Sequence, residues 1–294
     1  MPDTLLAAAE QRTRTDPARF EVVKNALYSA AEEMKIVLAK TAYSPLLKVA
    51  GDYSCGIFDA AGNMVAQGPD LPIHLGSMPD AVRAVVATFP EVEPGDVFIH
   101  NDPYHGGSHL PDVNVIAPAF LGDRLLGFGC VRAHWPDIGS ATPGSYGAVT
   151  EIYGEGLRLP PVRLYRGGEP DPNIERIIFA NVRTPAERQG DLRAQVAANR
   201  RGAARLEALA RNYGVDELLC IMDEVLDYSE TMMRAALRRL PDGEASFDDV
   251  FDGDGVLAPG AADDEPFTVR LTLRKRGDEI VADLPARTAR WQGR

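Results

Sequence analysis

The order of apolar and polar positions along the chain predicts most of its elements. From Phe20 onward, Val23, Leu27, Ala31, Met34 and Leu38 recur at helical spacing and place one apolar stripe on a helix. Asp16-Pro17 supplies its start, because aspartate accepts from free N–H groups and proline fits the first helical position. The helix is expected to reach about Lys40 and stop before Ser44-Pro45. Residues 53–68 read as a hairpin turning at Gly62-Asn63. Residues 79–89 read as a helix with a proline near its start, and Asp96–His100 as a short buried strand.

The runs DVNVIAPAF (112–120) and RLLGFGCVRAHW (124–135) predict two antiparallel strands joined at Leu121–Asp123. Residues 139–173 are rich in Gly and Pro and read as irregular, with a short helix at 174–179. Long helical patterns cover 185–212 and 215–239, and an alternating strand pair covers 267–285. Hairpins and helices without regular βαβ alternation predict an α+β fold: hairpins and a short mixed sheet, a long N-terminal helix and a helical segment near 185–239. The expected organisation is an α+β region over 1–183, a helical segment over 184–242, and a C-terminal strand pair over 243–294 that continues the same fold.

Composition narrows the function. The chain has 294 residues and a formal net charge of -12, which gives it no electrostatic reason to track phosphate backbones. No apolar run approaches the roughly 20 residues of a membrane helix. The first residues lack a basic start followed by a long apolar region, so a cytoplasmic location is expected. Cys55, Cys130 and Cys220 are odd in number and far apart, which disfavours a disulfide framework and sulfur-bound structural zinc.

All five histidines (His74, His100, His105, His109 and His134) fall between positions 74 and 134. His109 and Asp112 are separated by Leu110-Pro111, which argues against a helical pair and for a loop entering a strand. His134 lies at the far end of the partner strand, so the hairpin folds it back toward Asp112. Register decides the rest. A three-residue turn at 121–123 sets Asp112 opposite Arg132 and Leu110 opposite His134, with Asp112 and His134 on one face. A two-residue turn at Gly122-Asp123 slips the register by one and points them apart. A shared site therefore requires an odd-length turn or a bulge.

Two imidazoles and a carboxylate suit manganese, zinc or iron, and three protein ligands leave positions open for water or substrate. The competing reading is that these residues only satisfy turns. Asp102 and Asp137 are candidates to orient a ligand or act as a base. His74 reads as a loop histidine capping the next helix, with a pocket role as the alternative. Asp52 could be a base, although aspartates at strand starts are common. Gly106-Gly107 reads more simply as a turn than as a phosphate cradle, and His105 as a rim residue.

The segments GDYSCGIFDAAGNMVAQ (51–67), PIHLGSMP (72–79), PGDVFIHNDPYHGGSHLPDV (94–113), AHWPDIGS (133–140), EGLRLPPVRL (155–164) and RTPAERQGDLRAQVAANRRG (183–202) together resemble the hydantoinase B/oxoprolinase family. The resemblance implies a subunit of an ATP-dependent complex. A hydantoinase A-type partner would phosphorylate the substrate, and this chain would take the activated compound at a metal centre to open a cyclic amide or imide. Carboxylation of a ketone is the alternative chemistry, and a non-catalytic assembly role is a third reading. The family's metal motif falls on His109, Asp112 and His134. Three departures are visible: Trp135 and Ser140 stand where many members have His and Gly, residues 280–294 lack the acid-to-Gly-Thr pattern usual there, and the chain stops at Arg294 where most members continue. Two readings of that length stay open, a naturally split half with a second B-type chain as partner or a shortened form, and a small-molecule substrate is expected with either.

Overall fold

A computed structural model describes residues 15–142, 144, 149, 151–253 and 266–284. The chain divides into two compact units, Thr13–Leu226 and one that holds Asp227–Arg294.

Helix α1 (Pro17–Thr41) starts as the sequence predicts. Asp16 accepts from the Arg19 N–H at 3.1 Å, and the stripe from Phe20 to Leu38 is buried. Strands β1 (Tyr53–Phe58) and β2 (Met64–Gln67) follow, turning through Gly62 at φ 82°. Helix α2 spans Pro72–Thr88 and starts seven residues earlier than expected. Pro79 lies inside it rather than at its first turn, so His74 is a buried helical residue and not a capping loop residue. Proline removes one helical hydrogen bond. The helix continues because Met78, Val82 and Val85 pack with Phe58, Phe98, Ile116, Phe128 and Cys130 of the sheet.

Strand β3 (Val97–His100) precedes the long hairpin of β4 (Asp112–Leu121) and β5 (Arg124–His134). The stretch expected to be irregular contributes two more strands, β6 (Val162–Arg166) and β7 (Glu169–Pro170). The sheet order is β2-β1-β5-β4-β3-β6-β7, and every ladder is antiparallel. Helices α3 (Pro172–Ala180), α4 (Pro185–Tyr213) and α5 (Val215–Leu237) follow.

Helix α2 covers one face of the central strands, while α1 and α4 cover the other. Sandwiching explains why β1, β4 and β5 are buried along nearly their whole length instead of alternating. Helix α4 buries a polar stripe. Gln195 donates to the Val113 and Val131 carbonyls at 2.9 and 3.2 Å, and Asn199 donates to Val115 O at 2.9 Å. Asp191 accepts from the N–H groups of Tyr43 and Ser44. These residues satisfy backbone groups beneath the helix, as buried polar groups must.

In the second unit, β8 (Gly243–Phe251), β9 (Phe267–Arg276) and β10 (Glu279–Asp283) form a three-stranded antiparallel sheet in the order β10-β9-β8. The sequence pattern anticipates β9 and β10 but not β8. One face carries the ion pairs Arg270–Asp248 and Arg274–Glu244. Among the described residues, no helix is long and apolar enough to cross a membrane.

His100 ends β3 with no solvent exposure, and neither ring nitrogen has a hydrogen bond of ordinary geometry. Burial, and then the nearby Arg132 guanidinium, push its pKa down to about 4. The folded protein thus keeps His100 neutral, whereas the unfolded chain protonates it below about 6.5. Stability from this residue is complete above pH 6.5, falls as the pH drops to about 4, and levels off below. A His100→Gln variant should lack this component. Urea unfolding from pH 7 to pH 4 should show the variant losing less stability than the native protein, by on the order of 3 kcal/mol.

Candidate metal centre

The hairpin of β4 and β5 settles where its end residues point. Its turn is the two-residue Gly122-Asp123, with Leu121 opposite Arg124 and Gly122 at φ 58°. Gly is needed at the first central position of such a turn. This corrects the three-residue turn and its pairings, because Asp112 faces His134 and Arg132 faces Asn114. The slip that a two-residue turn introduces is undone by a bulge. Phe120 pairs with Leu125 but Ala119 pairs with Gly127, which leaves Leu126 as the extra residue. Asp112 and His134 consequently share the sheet face covered by α2.

Each element then delivers one group. A turn closed by the Asp112 N–H donating to His109 O at 3.0 Å brings His109 back over the strand start. His109 Nε2 lies 2.8 Å from Asp112 Oδ1, and His134 Nδ1 lies 3.3 Å from the same oxygen. From α2, His74 directs Nε2 to Asp112 Oδ2 at 3.4 Å and to Asp52 Oδ1 at 3.6 Å, and its Nδ1 sits 3.1 Å from Ser54 Oγ. Ser108 Oγ donates to Asp112 Oδ2 at 2.6 Å. The loop between β3 and β4 reaches this position by crossing α2 at Gly106. A Cβ there would lie 2.4 Å from the Asp80 backbone, so this glycine permits the crossing.

Asp112 is the electrostatic focus. Burial alone would raise its pKa. The imidazoles of His109, His134 and His74 and the Ser108 hydroxyl, all facing its two oxygens, outweigh that and hold the carboxyl well below the usual range. One ligand atom from each of His109, Asp112 and His134 fits within 4.8 Å of the others. Asp112 Oδ1 is buried, yet it makes no hydrogen bond of ordinary geometry despite the two close imidazole nitrogens. Donor atoms crowded on one point without hydrogen-bond alignment fit a cation, and the nitrogen and carboxylate set fits a transition metal. His109 is exposed while Asp112 and His134 are buried, so the cluster opens on one side.

The remaining candidates sit differently. Asp102 caps the short turn Pro103–His105, accepts from the Tyr104 N–H, and pairs with His105 at 3.0 Å and Arg158 at 3.7 Å. Asp137 accepts from the N–H groups of Gly139, Arg183 and Thr184 at the entrance to α4. Burial would raise its pKa, but these N–H groups and the Arg183 charge depress it. The structure thus brings His74 to the trio and engages Asp102 and Asp137 with other partners. Trp135, next to His134, turns to the opposite face and donates to Gln195 Oε1 at 2.9 Å. In the sequence Asp52 reads as a base candidate or as an ordinary strand-start aspartate, with nothing to tie it to His134. Pairing of β1 with β5 sets it beside His134, with Asp52 Oδ2 at 3.9 Å from His134 Nδ1. No local pattern signals that non-local pairing.

A family model described as hydantoinase B/oxoprolinase matches residues 16–292. The chain belongs to the hydantoinase B/oxoprolinase family. It is 34% identical over 278 residues to the B-type component of a putative D-/L-hydantoinase of Pseudomonas sp. (strain NS671), covering 92% of this chain and 47% of that one. The crystal structure of an ATP-dependent caprolactamase from Pseudomonas jessenii superposes with a TM-score of 0.81 at 36% identity, over 93% of this chain and 47% of the other. A nucleotide-free acetone carboxylase superposes with a TM-score of 0.82 at 19% identity, over 92% of this chain and 37% of that one, which is a likeness of fold. The chain spans about half the length of the hydantoinase relative it matches.

The bulge carries a stability cost if its geometry is altered. Gly127 follows Leu126 with φ 145°, and a Cβ there would lie 2.1 Å from Phe58 O of β1. Gly127→Ala should destabilise the protein by about 3 kcal/mol or more, read as a lower urea midpoint. A midpoint within error of the native protein would show that the bulge tolerates a side chain.

Proposed function

We propose that this chain is the metal-binding subunit of a multi-subunit, ATP-dependent enzyme that opens a cyclic amide or imide. The convergence of His109, Asp112 and His134 on one buried point is the observation that carries the reading. Likeness to the B-type component of a hydantoinase and to an ATP-dependent caprolactamase supports the reaction class. A hydantoinase A-type partner would use ATP to phosphorylate the substrate. The substrate would be a small molecule such as a hydantoin, oxoproline or lactam.

His109, Asp112 and His134 would hold manganese, zinc or iron. When bound, such an ion supplies Lewis acidity at neutral pH. The chain's own groups do the remaining work. Ser108 and His74 keep the second oxygen of Asp112 occupied, so Oδ1 stays aimed at the centre. Asp52, partly exposed and facing both His74 and His134, adds a second carboxylate at the mouth. It is placed to complete the donor set there. Asp102 and Asp137 would act as positioning residues, Asp102 by shaping the turn before the His109 loop and Asp137 by anchoring the segment after His134 to α4.

Protein purified without added metal should contain about one transition-metal ion per chain by elemental analysis. The ion should be lost in His109→Ala and His134→Ala variants that retain the native circular dichroism. A folded native chain without metal would favour the assembly role instead. In the complex with its co-purifying nucleotide-binding partner, ATP turnover should rise with hydantoins or lactams. Stimulation only by a ketone with bicarbonate would favour carboxylation.

A further inference from the structure

Behind the candidate centre lies a second polar row that composition and motif spacing do not announce. His100 of β3 pairs with Asn114 of β4, Asn114 with Arg132 of β5, and Arg132 with Ser54 of β1. Directly opposed residues share a face, so these four lie one step inward from Asp112 and His134. All four are fully buried.

Arg132 is the unusual member. Its side chain is a buried cation, and among the described residues no carboxylate lies within ion-pair distance of it. Its guanidinium instead binds neutral acceptors on three different elements. Nε donates to Asn114 Oδ1 of β4 at 2.7 Å. Nη1 donates to the His74 carbonyl at 3.3 Å and to Ser77 Oγ, both on α2. Nη2 reaches the Gly106 carbonyl at 3.4 Å, at the bend of the loop that carries His109. Burying a cation without a paired anion is costly, and a well-packed neutral side chain of similar volume is often the more stabilising occupant. The Asp112 charge nearby offsets part of that cost, yet burial by itself gives no reason for an arginine here. Its rigid fork of donors does, because a planar guanidinium with donors pointing in several fixed directions reaches acceptors on three separately anchored segments at once.

We propose that Arg132 is a positioning residue that pre-assembles the centre. It ties the turn of α2 bearing His74 and the bend leading to His109 onto the strand that ends in His134, so the donor groups stand in place before any cation arrives. This inference rests on the metal reading above for its affinity readout but not for its effect on the metal-free chain.

The test uses the full chain with Co2+ as the probe. Arg132→Met keeps volume and removes the donors, Arg132→Lys keeps charge but cannot span the three segments, and Ser77→Ala removes one acceptor from a half-buried helix position. Arg132→Met and Arg132→Lys should weaken Co2+ binding on the order of 10- to 100-fold and alter the visible absorption of the bound ion. Ser77→Ala should move both in the same direction by less. In the metal-free protein, the Gly107 and Asp112 amides should exchange faster in Arg132→Met, while amides of the core of β5 keep their protection. Native Co2+ affinity, native absorption and native exchange in a folded Arg132 variant would overturn the proposal. If neither Arg132 variant folds, the same native values in Ser77→Ala would overturn it. A native chain that takes no Co2+ would remove the metal reading, and the exchange rates would still decide the role of Arg132.

Discussion

The parity of one strand pairing governs the whole candidate centre. Side chains alternate faces along a strand, so a one-residue slip exchanges every inward group for an outward one. The two-residue turn at Gly122-Asp123 introduces such a slip, and the extra residue Leu126 cancels it. Asp112, Asn114, Arg132 and His134 owe their place under α2 to that cancellation. The same parity sends Trp135 to the other face, where its N–H finds Gln195. Without the bulge, the indole and the imidazole would change places, leaving a bulky apolar ring at the mouth and a histidine against α4. Gly127 allows β5 to make this detour while lying directly against the Phe58 carbonyl.

From that register follows a graded interior. At the sheet end, Asp112, His134 and Asp52 form a row whose groups face the opening. One step inward, His100, Asn114, Arg132 and Ser54 form a polar row sealed from water. The next step brings Ile116 and Cys130, which join Phe98, Phe58 and Phe128 in the apolar core under α2. The middle row separates a highly polar site from the apolar core and supplies fixed donors to the elements above it. In a medium of low dielectric constant, fixed charges and dipoles act strongly, so the imidazoles and the hydroxyl that face Asp112 hold its pKa down against the opposing effect of burial.

The opposite face carries polar groups for a different reason. Gln195 and Asn199 bind strand carbonyls and Asp191 binds the N–H groups after α1. Their role is satisfaction of buried backbone, which is why a helix rich in arginine, glutamine and asparagine can bury these residues against the sheet. Gly202 contributes by letting α4 approach Met34 of α1. Both faces of the sheet are thus polar in places, yet among the described residues only the α2 face gathers groups whose donors converge on one open point.

Local sequence determined the elements whose signals are local: the Asp16 cap and stripe of α1, the strands of the central hairpin, the two long helices, and the trio His109, Asp112 and His134 as a conditional site that required a bulge or an odd turn. It did not determine the start of α2, because a proline reads as a helix start unless burial of Met78, Val82 and Val85 carries the helix through it. Strands β6, β7 and β8 were hidden for the same reason, since short or polar strands owe their conformation to the partners they pair with. Asp52 and Arg132 gained their significance only when β1 and β4 lined up on either side of β5. Residue type and spacing are properties of one segment, whereas convergence in space depends on which segments pair and in which register. That choice is made by the packing of the whole sheet.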